Sequence, residues 1–331
     1  MKRAFAFFLW LHVFVWLSGC ALVALVSPPK SAEKKLFREV RYVMGTLLEV
    51  SLYHEDAVLA EAFLHSAFRE AERLDGLLST YSSTSEISRF NNGEDPIALT
   101  EATCALIREG KDIGMRTGGA FALTVRPLVE LWEAAKRRKS LPPSERLKDS
   151  KNLVGDGSIH LTDDCILASS DEYKLSIETG GIGKGFAVDA IVSLLERYQV
   201  EDVFISFGLS SVFASGAPPG KDGWRLLIAF PGSEPLGTVI IRDQALSASS
   251  ALGRTFEIGD TVYGHIIDPV TGYPLRRQSF GIVVSPSATE AEVLSKVLLL
   301  RGEEAVKDFN VEYFLHSGTR EVHSNSFFIE N

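Results

Sequence analysis

Four glycines crowd one short stretch of the chain, Gly180-Gly181-Ile182-Gly183-Lys184-Gly185-Phe186-Ala187-Val188-Asp189. Glycine leaves backbone N–H and C=O groups uncovered, and here they stand just ahead of an apolar helical pattern. Such a segment can cradle phosphates at a helix N-terminus, with Lys184 adding a positive charge. It is neither a Walker A loop, which needs a Lys-Ser/Thr pair, nor the dinucleotide fingerprint G-x-G-x-x-G. Taken alone, it reads equally well as a turn with no chemical role. A second stretch, Tyr263-Gly264-His265-Ile266-Ile267-Asp268-Pro269 followed by Thr271-Gly272-Tyr273-Pro274, carries a histidine out of a strand into a Pro/Gly turn. His265 is well placed there to face a ligand, and imidazole changes charge near neutral pH; a structural histidine is the other reading. The third stretch, Leu78-Ser79-Thr80-Tyr81 through Ser85-Glu86-Ile87-Ser88-Arg89-Phe90-Asn91, reads by itself as a solvated Ser-rich loop.

These stretches need elements to hold them. Residues 38–53 are rich in β-branched and aromatic types, interrupted by Met44-Gly45-Thr46, which predicts two strand segments about a tight feature. The spacing of Ala, Leu and Phe over 56–78 predicts a long amphipathic helix. Residues 79–97 read as an extended loop, 98–117 and 126–138 as helices, and Pro142-Pro143 as their end. The polar segment 140–170 reads as an insertion between lobes. Short apolar runs at 173–177, 203–207, 211–215, 225–230, 238–242 and 280–285 predict strands. Helices are expected at 184–199 and 291–301, with a shorter one near 303–309. The pattern is α/β with a sizeable mixed sheet and flanking helices.

The chain of 331 residues is 45% hydrophobic and 23% charged, with a formal net charge of -9, enough for a real core and the wrong sign for a nucleic-acid partner. Lys2 and Arg3 precede an apolar run from Ala4 to Leu17 and then Ser18-Gly19-Cys20, the layout of a secretory signal. Leu17-Ser18-Gly19-Cys20 also resembles a bacterial lipobox, which predicts a signal peptide over 1–19, lipidation of Cys20 and an anchor and tether over 20–36. An uncleaved apolar anchor is the alternative. Both put the domain at 37–331 outside the cytoplasm, on the periplasmic side or the cell surface, with the membrane held through the anchor rather than by charge. The other cysteines, Cys104 and Cys165, form no zinc pattern. Cys104 reads as a small buried hydrophobe, with a Cys104–Cys165 disulfide the alternative in an oxidising compartment.

Taken together the stretches lose their ambiguity. Met44-Gly45-Thr46, the Ser-Thr-Tyr to Phe-Asn loop, Gly118-Gly119-Ala120-Phe121 with Pro127-Leu128-Val129 and Leu131-Trp132, the Gly180–Asp189 run and His265–Pro274 occur in the order and spacing of the FAD:protein FMN transferase (ApbE-like) family, which the chain resembles over roughly 38–305. The resemblance implies a two-lobed fold with FAD in the cleft, magnesium (Mg2+) as cofactor, and transfer of FMN from FAD to a Thr or Ser of a flavoprotein, with a membrane redox-complex subunit as the expected acceptor. By motif matching it places Met44, Tyr81, Ala120, Phe121 and Ala122 on the flavin side, Glu178 and Lys184 in the cofactor site, His265 at the pyrophosphate as the active-site histidine, and the Gly181 carbonyl, Glu292 and Lys296 at the metal positions.

The departures from the family pattern are specific. Ala122 and Leu123 stand where the family usually has Asp-Pro, and Glu178 where it has Asp. Gly208-Leu209-Ser210 replaces a Gly-Gly-Asp/Asn, and Ser249-Ser250-Ala251 a Ser-Gly-Asp/Glu. Glu292 and Lys296 fill positions of an Asp and a Thr; a carboxylate suits magnesium, whereas a protonated ammonium has no lone pair to give. Two readings follow: an active transferase with a modified metal site, or a degenerate FAD-binding lipoprotein or FAD pyrophosphatase with little transferase activity. A structural surface lipoprotein without flavin is the third class, opposed by the glycine run and His265–Pro269.

Overall fold

The computed structural model describes residues 33–170, 174–229, 234–251, 253–318 and 320–324. The expected signal peptide, Cys20 and most of the tether lie outside the described residues, as do Tyr173 and Phe230 from two expected strands. No helix among the described residues is long and apolar enough to cross a membrane.

Eight strands form the main sheet in the order Lys35–Val43, Thr46–His54, Asp202–Phe207, Ser211–Ser215, Gln244–Ser250, Ser279–Ser285, Glu312–Ser317 and Arg320–His323. The first two make a hairpin through Met44-Gly45, and Val43 pairs with Thr46. Both turn residues have positive φ, +48° and +74°, as a two-residue turn matched to strand twist requires. The helices are α1 (Ala57–Leu78), α2 (Glu86–Asn91), α3 (Glu101–Arg116), α4 (Arg126–Arg138), α5 (Ser144–Asn152), α6 (Gly183–Val192) and α7 (Ala288–Arg301). Asp56 starts α1 by accepting from the Val58 and Leu59 N–H groups, and Phe63, Leu64, Ala67, Phe68, Ala71 and Leu74 bury one face at helical spacing.

The α/β class holds, but the expected mixed sheet is wholly antiparallel in its ladders. Helices stand between several of the strands. A helix alone does not set strand direction, however. After α7 the ten residues 302–311 carry the chain back, so Glu312 pairs with Val284 and the next strand enters antiparallel.

Two helices matter most. α7 packs against Gln244–Ser250 and Ser279–Ser285 on one side and α6 on another, so its apolar residues are buried nearly all round. α6 and α7 touch backbone to backbone: a Cβ on Gly185 would sit 2.3 Å from the Ala288 carbonyl oxygen. Glycine is therefore the side chain that permits this approach. Asp189 of α6 caps α7, accepting from the N–H groups of Ala288 and Thr289 (both 2.8 Å) and from the hydroxyls of Ser287 and Thr289. Its charge sits at the positive end of the α7 dipole.

Several local expectations change. The loop 79–97 contains α2, started by the Ser85 hydroxyl on the Ser88 N–H and buried through Ile87 and Phe90. The segment 140–170 holds α5 and two short strands, His160–Leu161 and Ile166–Ala168, which pair beside Ile97–Ala98. Residues 174–177 form no strand: the Leu175 and Ile177 N–H groups bond the side chains of Ser169 and Asn91 instead. The helix expected at 184–199 stops at Val192, with a separate 3-10 turn at Glu196–Tyr198, and that expected at 303–309 is only the 3-10 turn Glu303–Ala305. Cys104 is fully buried as expected, but as half of a Cys104–Cys165 disulfide, because the Cys165 turn next to Ile166–Ala168 abuts α3.

Candidate active site

The α6–α7 contact places the first chemistry-bearing group. The Glu292 carboxylate, 1% exposed, takes a short hydrogen bond from the Lys184 ammonium on Oε1 and the Gly185 N–H on Oε2 at 2.6 Å. Lys296, one turn on, donates to the Glu292 backbone carbonyl at 2.8 Å and stands 3.5 Å from the same Oε1. One buried carboxylate is thus shared by two ammoniums. The i, i+4 pair is not the surface ion pair such spacing usually gives. Burial works to raise the Glu292 carboxyl, but the charges of Lys184 and Lys296, the Lys184 bond and the Gly185 N–H overcome it and bring it down to about 2. Lys296 moves the opposite way for a lysine, down to about 8, from burial first and then Lys184, against the pull of Glu292. It remains mostly cationic at neutral pH.

The glycine run closes one wall. A Cβ on Gly181 would lie 3.3 Å from the Phe121 ring and 3.9 Å from the Lys296 side chain, and one on Gly183 would lie 3.4 Å from the Met44 methyl. Met44, Phe121, Gly181, Lys184, Glu292 and Lys296 are therefore one cluster, drawn from the first hairpin, the loop after α3, the glycine run and α7. Ala120 and Ala122 are buried beside Phe121. Glu178 precedes the run; one oxygen accepts from the Gly180 N–H at 3.0 Å and the other from Arg126 at 3.3 Å. Burial, the largest effect, pushes its carboxyl up. Tyr81 is 98% exposed on the loop after α1.

His265 enters from the strand Thr261–Gly264. Its ring is hydrogen-bonded to the Arg254 backbone and feels the charges of Arg254, Lys296 and Lys184. Burial and these cations depress its pKa, with the Arg254 backbone bond opposing. The residue keeps an open face to solvent. At neutral pH the imidazole is neutral and able to accept a proton. The following turn is pinned by Asp268, which takes hydrogen bonds from Arg301 at 2.5 and 3.0 Å and from Val270 and Thr271. That ties the His265 segment to the end of α7.

Beside Phe121 opens a cleft of about 490 Å³, lined among others by Gly118, Gly119, Phe121, Ala122, Asp156 and Val270, within the usual size of a small-molecule site. Asp156 shapes it by accepting from the N–H groups of Leu123 and Thr124 and the Thr124 hydroxyl. Neither Asp156 nor Arg254 was singled out by sequence, because each acts through contacts distant along the chain. A Gly-Asp-Gly turn and an arginine after a glycine were the only local signals.

The donor set does not fit a divalent cation. Magnesium takes carboxylate and water oxygens in an octahedron, but both Glu292 oxygens already accept from N–H donors and an ammonium occupies the i+4 position. No group of three His, Cys, Asp or Glu residues among the described residues could hold a metal ion. The two departures elsewhere act structurally: the Ser210 carbonyl accepts from the Ser247 hydroxyl at 2.9 Å, and the Ser249 hydroxyl bonds that of Ser295 on α7 at 2.7 Å.

Comparison with known proteins gives the family. The model of the ApbE family matches residues 44–314. A protein of Treponema pallidum (strain Nichols) named FAD:protein FMN transferase is 26% identical over 305 residues, covering 86% of this chain and 84% of that protein. One of the same name from Klebsiella pneumoniae (strain 342) is 28% identical over 300 residues, covering 88% and 85%. The solved structure of a flavin transferase ApbE from Vibrio cholerae has the same fold, with a TM-score of 0.76 at 23% identity over 89% of this chain and 98% of that one.

Proposed function

This chain belongs to the ApbE family, and from that premise we propose that it is an FAD:protein FMN transferase. The observation that carries the reading is the pair of ammoniums Lys184 and Lys296 beside the glycine run, with Phe121 against Gly181 and His265 near enough to feel both charges. A flavin diphosphate offers matching chemistry: an aromatic ring for the Phe121 cleft and a pyrophosphate for the ammoniums. The hydroxyl oxygen of an acceptor Thr or Ser attacks the FMN phosphorus, the phosphoanhydride P–O bond breaks, AMP leaves with the bonding pair, and the hydroxyl proton passes to a base. His265, held neutral, suits that base. The lysines neutralise charge gathering on the bridging oxygen. Magnesium, the cofactor implied by resemblance, has no vacancy among these donors.

The test is to incubate purified protein with FAD and a candidate flavoprotein acceptor and weigh the acceptor. A gain equal to FMN with matching AMP release supports transfer; neither product refutes it. The saturated Glu292 favours one second reading, FAD hydrolysis or binding without transfer, which the same assay reveals as AMP with free FMN, or as bound FAD unchanged.

The reading extends to location: a lipoprotein held through Cys20 on the outer side of a bacterial membrane, acting on a membrane redox-complex subunit. It is supported by Leu17-Ser18-Gly19-Cys20 and by the Cys104–Cys165 disulfide, a bond that persists in oxidising compartments. Cys20→Ala should release the protein from membranes or leave it unprocessed; unchanged size and detergent partition would refute lipidation.

A further inference from the structure

Two cations on one buried carboxylate are an unusual use of charge. Burying an ion is costly unless it is paired, and a single pair would satisfy Glu292. The Lys184 bond and the Gly185 N–H already do so. Lys296 is therefore a second cation beside a carboxylate that already has a directly bonded one. Its ammonium is anchored by the Glu292 backbone carbonyl, its stem lies against Gly181, and about a fifth of the side chain stays open to solvent. The cluster of Lys184, Lys296 and Glu292 carries one net positive charge, with Arg254 adding another beyond His265. The nearby carboxylates are occupied: Asp189 caps α7 and Glu178 is tied to Gly180 and Arg126. Lys296 thus shares its carboxylate with Lys184, and its stem lies against the glycine run.

We propose that Lys296 takes the place of a divalent metal at this site, so that the protein binds a phosphoanhydride through the fixed ammoniums of Lys184 and Lys296 and needs no magnesium to do so. The proposal rests on the diphosphate side of the functional reading above and adds to it the identity of the counter-charge. Glu292 then serves as a clamp that spaces two lysines, not as a metal ligand. A fixed ammonium also repels a divalent cation at short range, the more so in a site of low dielectric.

The test measures binding, not turnover. The full-length protein, stripped with a chelator, is titrated with FAD and with inorganic pyrophosphate by calorimetry, in chelator and again with magnesium. The wild type should bind both ligands in chelator, and magnesium should change the affinities by less than about threefold. Lys296→Thr removes the ammonium and supplies a hydroxyl. In chelator it should bind both ligands about ten- to a hundredfold more weakly, the worth of one charge-assisted hydrogen bond, and magnesium should recover most of the loss. Lys296→Arg keeps the charge and should stay within about threefold of wild type in chelator, which separates lost charge from lost folding. Wild-type binding that collapses in chelator and returns with magnesium would overturn the proposal, as would Lys296→Thr binding like wild type in chelator. Metal-free binding of pyrophosphate without FAD would uphold the counter-charge while sinking the flavin reading. Binding of neither ligand under any condition would overturn both.

Discussion

Glu292→Gln tests the buried cluster most directly. The substitution is nearly isosteric, so packing around α7 changes little. The new amide oxygen can still accept the Gly185 N–H, now 2.6 Å from Oε2. The amide nitrogen must then face the Lys184 ammonium, donor against donor, and two ammoniums are left with no counter-charge. Breaking a buried pair by removing one partner costs about 3–5 kcal/mol. Linkage gives a similar size: a carboxyl lowered from 4.5 to about 2 contributes about 3 kcal/mol at neutral pH. For a domain of this length that is a fall in Tm of about 5–8 °C. The sign with pH is fixed by the depression. Glu292 contributes in full above pH 4.5 and progressively less as pH falls toward its folded pKa near 2, so the gap between wild type and variant should narrow on acidification. Calorimetry at neutral pH and in steps below pH 4.5 measures both. Adding Lys296→Met to Glu292→Gln removes one orphaned ammonium and should return part of the loss. Equal Tm values for wild type and Glu292→Gln at neutral pH would refute this account of the cluster.

Gly185→Ala drives a methyl to 2.3 Å from the Ala288 carbonyl, so α6 must move off α7; a loss of about 1–3 kcal/mol together with weaker FAD binding is expected, and loss of neither would mean the helices are not in contact there. Replacing Cys104 and Cys165 by Ala should cost about 2–4 kcal/mol and abolish the effect of reductant on Tm, a comparison that needs only thermal scans with and without reductant. Glu109 is pushed up to about 7 by burial first and then by Asp189, Glu290 and Asp112, so its cost to stability is absent below pH 4.5, grows as pH rises from 4.5 to about 7, and is full above that. Glu109→Gln should therefore match wild type at pH 4 and exceed it in Tm at pH 8, and a pH-independent difference would contradict the assignment.

Much of the site was legible from residue order alone, where the signal is local. The Met44-Gly45 turn, the α1 stripe from Ala60 to Leu78 and the glycine run leading into α6 are read within a few residues, since backbone freedom and helical spacing are short-range properties. The strand Gln244–Ser250 escaped notice because its Ser and Ala residues lack the β-branched signature, and it holds its place through pairing with Ser211–Ser215 and Ser279–Ser285. Strand direction was likewise a matter of where residues 302–311 return the chain. The same division runs through the chemistry. Residue order put Glu292 and Lys296 on one face of a helix, but the same spacing serves a solvated ion pair as well as a buried clamp. Only the approach of α6, allowed by Gly185 and locked by Asp189 on the N-terminus of α7, brings Lys184 onto that carboxylate and shuts out water. Burial and the identity of the third partner are long-range contacts, and these turn an ordinary helical pair into a charged site.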